Sequence, residues 1–435
     1  MEEVLVIGGG LAGSEAAWQI ARRGLKVRLV EMRPKKQTPA HQTDFLAELV
    51  CSNSLRAEAL ENAVGLLKEE MRQLDSLIMR VADSERVPAG GALAVDREAF
   101  ARGVTVEISS QPLISVERRE VTKVPLTEGI CVLATGPLTS QPLAQSLAKL
   151  TGSEHLYFYD AVAPIITLDS IDKEHSFWGS RYGKGEEGSY LNCPLTEEEY
   201  LTFWNELIKA EQYPLKEFEE LKLFEGCMPI EEMARRGLET MRYGPLKPVG
   251  LVDPKTGQQP FAVVQLRQDN REGTIYNVVG FQTRLKWNEQ KRVFGLIPAL
   301  RRADFVRYGV MHRNTFVNSP RVLQPTWQLK DHPQILIAGQ LSGVEGYVES
   351  AASGLIAGIN ATYIARGLKP LIMPTETACG ALAHYITTAN PNRFQPMNIN
   401  FALFPPLNER VRNRRTRNMA LAQRALKALK TIGKI

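Results

Sequence analysis

Long apolar runs are missing from this chain of 435 residues. A bilayer-spanning helix needs about 20 consecutive apolar residues, and the most apolar late stretch, residues 335–364, is broken by Glu345 and Glu349. The first ten residues, MEEVLVIGGG, carry acids where a signal peptide needs positive charge. Cysteine is scarce. Five cysteines, an odd number with no C-x-x-C pair, exclude a disulfide framework, a thioredoxin-type couple and a zinc ribbon. Internal repeats and low-complexity linkers are also absent. The expectation is a cytoplasmic protein with reduced thiols, no metal and no membrane partner. Hydrophobic residues at 44% and charged residues at 23% exclude a disordered or fibrous chain. At the usual ~100–200 residues per domain, the length implies two or three units.

Charge is unevenly placed. From Glu409 to Ile435 there are nine Lys or Arg and one Glu, a net +8 within a chain of net +5, so the preceding 408 residues sum to −3. A basic tail on a slightly acidic body suits a polyanionic partner such as nucleic acid. The plain alternative is a terminal helix with one solvated cationic face.

What is present at the N-terminus is a complete βαβ signal. Val4–Ile7 reads as a buried parallel strand, Gly8-Gly9-Gly10-Leu11-Ala12-Gly13 follows at once, and Ser14–Arg23 reads as a helix ended by Gly24. Val27–Met32 is the second strand, with Glu31 near its end. In such a unit Gly8 permits the tight turn, Gly10 lets the backbone approach a pyrophosphate and Gly13 allows close helix–strand contact. Glu31 is placed to accept from both ribose hydroxyls, which favours FAD or NAD over NADP. FAD is favoured further because the parallel texture returns late. Residues 335–339 read as a strand, Gly339-Gln340 and Gly343-x-x-Gly346 as a turn, and Glu349–Arg366 as a helix whose N-terminus can face a reduced flavin. Gly136, after the apolar run 130–133, belongs with the same group of cofactor-binding positions.

Between these ends the texture differs. Glu48–Leu74 reads as mainly helical, broken around residues 51–54, and Val104–Leu133 reads as several short strands. From about residue 155 there is no βαβ rhythm, only loops around one clear helix, 196–211, which Thr196 and Glu199 open as a capping box. The fold class expected is α/β. It has a Rossmann-like, glutathione-reductase-like FAD-binding domain formed by 1–154 and a returning segment 331–370, a long mixed α+β insertion at 155–330, and a C-terminal region with the basic tail at 371–435.

Two cysteines stand at expected helix starts. Cys51 precedes the caps Ser52 and Asn53, and Cys227 stands two residues before Pro229, a first-helical-position residue in this reading. A positive helix terminus raises the thiolate population of a nearby cysteine, although buried inert cysteine is common. Cys131, Cys193 and Cys379 read as structural. A flavin with two such thiols suits chemistry at the fifth carbon of a pyrimidine. One group adds at the sixth carbon and another removes the proton from the fifth. A disulfide reductase is the competing scheme.

At this point the chain resembles the TrmFO family, folate- and FAD-dependent tRNA (uracil-5-)-methyltransferases related to the GidA/MnmG flavoproteins. The resemblance rests on Thr38–His41, Glu48–Arg56, Val87–Arg97, Ala134–Ser140, Tyr190–Pro194, the segment around Cys227, Val264–Asn270, Gly280–Thr283, Val310–Thr315 and Gly343–Ala352. It runs from about residue 4 to about residue 400. It implies that NAD(P)H reduces the flavin and that 5,10-methylenetetrahydrofolate supplies a one-carbon unit. That unit ends on the fifth carbon of the uridine at T-loop position 54 of tRNA, with Cys51 and Cys227 as the functional pair in unassigned order. Lesser expectations are Tyr347 stacking on a pterin or flavin ring, and His312 and Arg313 meeting folate or uridine. Arg284 and Lys286 would meet folate carboxylates, and Arg410, Arg412, Arg414, Arg415 and Arg417 tRNA phosphates. The alternatives are a GidA-like enzyme acting at the wobble uridine, a flavin oxidoreductase with a small substrate, and a non-enzymatic RNA-binding module that keeps a flavin.

Overall fold

A computed structural model of the chain describes residues 3–152, 156–183, 190–214, 228–309 and 311–432. The N-terminal βαβ unit forms as its spacing predicts. Strand Glu3–Ile7 runs into helix Leu11–Ala21 and on to strand Lys26–Glu31, which pairs in parallel with the first. These strands are the centre of a five-stranded parallel sheet in the order Ile335–Ile337, Cys131–Leu133, Glu3–Ile7, Lys26–Glu31, Ile114–Arg118. The late strand thus returns to the first sheet.

Over the sheet, helix Leu11–Ala21 packs directly on the late helix Tyr347–Ala365. Small residues make this approach possible. A methyl group on Gly354 would overlap the backbone of Ala12, and one on Gly358 would lie 2.7 Å from the Ala16 carbonyl oxygen. The apolar faces of both helices and the sheet form one core, which helices Ala378–Thr388 and Arg414–Thr431 extend.

A second core lies around a six-stranded antiparallel sheet. Its order is Phe177–Trp178, Tyr190–Leu195, Ala262–Gln268, Ile275–Val278, Ile165–Thr167, Phe305–Arg307. Helix Glu197–Lys209 covers it, opened by the capping box of Thr196 and Glu199. Strands Leu156–Ala161 and Met311–Phe316 form a separate antiparallel pair.

Two local expectations are overturned. Residues 104–110 are not strand but the end of helix Arg97–Ser110, which Asp96 caps by accepting from the Ala99 N–H at 2.9 Å. Its buried side, Phe100, Ala101, Val104 and Ile108, has helical spacing. The β-branched Val104, Thr105, Val106 and Ile108 imitate a strand, but tertiary burial of that side outweighs their propensity. Residues 48–62 are likewise not helical, since strand Ser54–Ala57 intervenes and the helix begins only at Ala63.

Candidate active site

The glycine turn and the returning segment meet in one cleft. Gly8, Gly10, Leu11, Ala12, Glu31, Gly136, Gly339, Gln340 and Tyr347 line it, together with Thr38, His41 and Val50. Gly9, Gly13 and Gly346 are not among its lining residues. A methyl group on Gly8 would come within 2.5 Å of the Ala134 carbonyl oxygen, and one on Gly13 would overlap Gly8 itself, whereas the space beside Gly10 is open. Turn, packing and open approach are thus divided among the three glycines as their spacing predicts.

Two helices enter the cleft by their N-termini, Leu11–Ala21 from Gly10 and Tyr347–Ala365 from Gly346, and neither end is capped by a side chain at that position. Unpaired N–H groups and the positive end of a helix suit a pyrophosphate at the first and an anionic ring at the second. Glu31 closes the far end. Its Oε2 accepts the Gly9 N–H at 2.7 Å, and its Oε1 accepts the backbone N–H and Nε–H of Arg33 at 3.0 and 2.9 Å. Burial works against this carboxylate, but the Arg33 guanidinium and these hydrogen bonds outweigh it and hold its pKa below the ordinary value. With Oε1 occupied twice, the free capacity is one lone pair on Oε2. The remaining donor set fits the adenosine, pyrophosphate and ring of FAD.

Cys51 stands at the edge of this cleft, but not at a helix start. Its side chains explain why. Ser52 Oγ accepts the Ser54 N–H at 3.1 Å and Ser54 Oγ accepts the Arg56 N–H at 3.1 Å, bonds that compete with a helical turn. Asn53 Nδ2 is drawn off to the carbonyl oxygens of Val95 and Gln268 at 2.9 and 2.8 Å. No helix terminus stands at Cys51; Arg97 and the Tyr347 phenol lie against its loop instead.

Three side chains clamp this loop. The Tyr347 hydroxyl accepts the N–H groups of Cys51 and Ser52 at 2.6 and 3.2 Å. Arg267 donates to Ser52 Oγ at 2.6 Å and Asn53 Oδ1 at 2.9 Å. Arg97 donates to the Leu49 carbonyl at 2.5 Å and grips Asp269 with two nitrogens at 2.9 and 3.1 Å. Burial disfavours the Arg97 charge, but Asp269, Tyr347 and Cys51 together hold its pKa above the ordinary value. Burial, and then repulsion from Arg97, lowers that of Arg307, whose Nη2 donates to the Ala40 carbonyl at 2.8 Å. Burial also pushes the Tyr347 phenol up, so it stays protonated. Arg97, Arg267 and Arg307 were missed in the sequence because single arginines carry no spacing signal. Beneath the loop, buried Lys68 donates to the carbonyls of Leu55 and Ala57 at 2.7 and 2.8 Å, and burial pulls its pKa down to about 7.

The other expected residues are placed as follows. Cys227 lies outside the described residues. Helix Ile230–Arg235 follows it, with Pro229 as N-cap rather than first helical residue. Backbones of His312 and Arg313 pair with Asp160 and Tyr159 in the two-stranded sheet. Arg284 and Lys286 are not at the cleft wall. Arg284 bonds Gln212 and pairs with Glu232, and Lys286 pairs with Glu211 at 2.6 Å, all around the second core. Cys131, Cys193 and Cys379 are buried, and burial raises each thiol well above the ordinary range. Arg410, Arg412, Arg414, Arg415 and Arg417 are exposed, the last three in the first turn of helix Arg414–Thr431. Among the described residues no group of three or more His, Cys, Asp or Glu is arranged to hold a metal, and no helix is long and apolar enough to cross a membrane.

The sequence pattern of the Glucose inhibited division protein A family matches residues 3–369. A protein of Desulforudis audaxviator named methylenetetrahydrofolate--tRNA-(uracil-5-)-methyltransferase TrmFO is 64% identical over 98% of this chain and 97% of its own. One of the same name from Moorella thermoacetica is 62% identical over 99% and 98%. In fold, GidA of Aquifex aeolicus superposes with a TM-score of 0.72 at 18% identity, covering 100% of this chain and 76% of that one. The chain belongs to the GidA family and, within it, to the TrmFO methylenetetrahydrofolate--tRNA-(uracil-5-)-methyltransferases.

Proposed function

We propose that this protein methylates the fifth carbon of uridine 54 in the T-loop of tRNA. The one-carbon unit comes from 5,10-methylenetetrahydrofolate and NAD(P)H is the source of electrons. Its relatives' names carry the same donor, the same RNA and the same ring position. Gly8–Gly13, Glu31 and Gly339–Gln340 would hold FAD, which when bound would supply the reducing equivalents. The observation that supports this reading best is the bond from Cys51 N–H to Tyr347 Oη, because Tyr347 lines the cofactor cleft and Cys51 stands at its rim.

The chain's own residues supply the rest. The fifth carbon of uracil becomes nucleophilic only after a group adds at the sixth, and its proton must then be removed. Cys51 and Cys227 are proposed for these two tasks, in either order. Arg97 and Arg307 provide positive charge beside Cys51 where a thiolate or a developing enolate needs it. The target base must leave its stack to reach this rim. The exposed arginines 410–417 would hold phosphates. Three stand at the positive end of their helix, where like charge is unfavourable and a polyanion relieves it. The reaction would take place in the cytoplasm, with tRNA.

Incubating holoprotein with labelled methylenetetrahydrofolate, reductant and tRNA transcript, then sequencing the modified position, tests the proposal. Label on the fifth carbon of uridine 54 is expected. Label at the wobble uridine, or none in RNA, would overturn it.

A further inference from the structure

One buried amide locks helix Trp287–Phe294 to the chain that leaves strand Phe305–Arg307. Gln290, fully buried, accepts the Gly309 N–H at 2.8 Å and donates to the Gly309 and Leu285 carbonyls at 2.9 and 2.8 Å. That lock holds Tyr308, the neighbour of Gly309, against Trp287, which stands one helical turn before Gln290. The two rings are nearly parallel, 16° apart with centroids at 5.3 Å, and Phe305 continues the stack from Tyr308 at 4° and 5.1 Å. The inner end is anchored, because Phe305 packs against the second core. The outer end is open. Tyr308 covers one face of the Trp287 indole, yet Trp287 is still 52% exposed.

A stack that ends on an open indole face is extended best by another flat ring, since offset parallel rings attract beyond the area they bury. The charge beside it narrows the choice of ring. Lys291, one turn on from Trp287, sets its ammonium 5.9 Å from the Tyr308 ring centre. Lys286 is held by Glu211, and Arg292 by Glu206 and Glu289, but among the described residues no carboxylate pairs with Lys291. A nucleotide satisfies both features at once, its base on the ring and its phosphate on the ammonium. The chain also joins this stack to the candidate site. Tyr308 follows Arg307, which donates to the Ala40 carbonyl and feels the charge of Cys51.

We propose that Trp287, backed by Tyr308 and with Lys291 beside it, stacks an unpaired base next to the target uridine of the tRNA and meets its phosphate. The inference rests on the tRNA reading above and adds a contact outside the cofactor cleft, which neither Trp287 nor Tyr308 lines.

The test is binding of tRNA transcript by FAD-loaded Trp287→Ala, Trp287→Phe and Lys291→Gln proteins. Trp287→Ala should weaken binding by about 5–150-fold, the range for loss of one stacked base. Trp287→Phe keeps a ring and should bind close to wild type. Lys291→Gln should reduce the slope of log affinity against log salt by about 0.7, the share of one single-stranded phosphate. FAD content and flavin reduction by NAD(P)H should not change in any of the three. Transcripts with an abasic nucleotide on one or the other side of the target uridine locate the contact. One of them should bind wild type more weakly but lose nothing further with Trp287→Ala. Wild-type affinity in Trp287→Ala, with wild type still methylating tRNA, would overturn the stacking site alone. So would a variant that changes only self-association in sedimentation, which would mark Trp287 as a contact between copies of the chain. A wild-type protein that neither binds nor methylates tRNA would remove the function reading as well.

Discussion

The Tyr347 hydroxyl accepts the Cys51 N–H at 2.6 Å across 296 residues of sequence. This one bond ties the first residue of the returning helix to the loop of one candidate thiol, Cys51. Tyr347→Phe removes the acceptor from two backbone N–H groups and leaves the ring in place. Methyl transfer should fall about 10–100-fold, the effect of roughly 1.5–3 kcal/mol of lost positioning. Flavin content should stay at wild-type level. Unchanged turnover in Tyr347→Phe would mean that the clamp is not needed.

A second prediction concerns acid. Glu31 is held below the ordinary carboxylate range by Arg33 and its hydrogen bonds, against the pull of burial. A lowered folded-state pKa contributes stability above the unfolded value of about 4.3 and loses it as pH falls through the folded value. Flavin release followed by fluorescence should therefore show an acid limb below about pH 4.3. Glu31→Gln should abolish that limb and weaken FAD binding by about 10–100-fold, as expected for a lost charge-assisted bond. An identical acid limb in Glu31→Gln would assign it to other groups.

The contact between helices Leu11–Ala21 and Tyr347–Ala365 gives a steric prediction. In Gly354→Ala the new methyl group would overlap Ala12 backbone, so the first helix and its phosphate-facing end must shift. A loss of about 1–3 kcal/mol is expected from overpacking, seen as a lower Tm and lower flavin content. Gly91→Ala, which meets nothing within 4 Å, is the control and should stay within about 0.5 kcal/mol of wild type.

Salt dependence tests the basic tail. Deleting the tail would be a poor experiment, because Leu421, Ala422, Ala425 and Leu429 of its helix are packed in the first core. Replacing Arg410, Arg412, Arg414, Arg415 and Arg417 with Gln leaves that face intact. Each lost phosphate contact should reduce the slope of log affinity against log salt by about 0.7–0.9. A five-fold variant with the wild-type slope would place the RNA elsewhere.

The amino-acid sequence by itself determined the cofactor fold. Glycine spacing between an apolar strand and a helix, an acid at the end of the next strand and a late glycine turn are short-range signals, each set by local backbone geometry. Helix Arg97–Ser110 was illegible because Val104, Thr105, Val106 and Ile108 are β-branched, two of them on its buried side. The setting of Cys51 was decided by tertiary structure alone. Ser52 and Asn53 look like helix caps, but their side chains are claimed by Arg267, Val95 and Gln268. Tyr347 and Arg97 complete the clamp. These partners come from three separate stretches of chain, and side-chain bonds across such distances leave no periodicity in the sequence. They exist only once two cores have packed and brought a sheet face, a helix start and a loop within hydrogen-bonding reach.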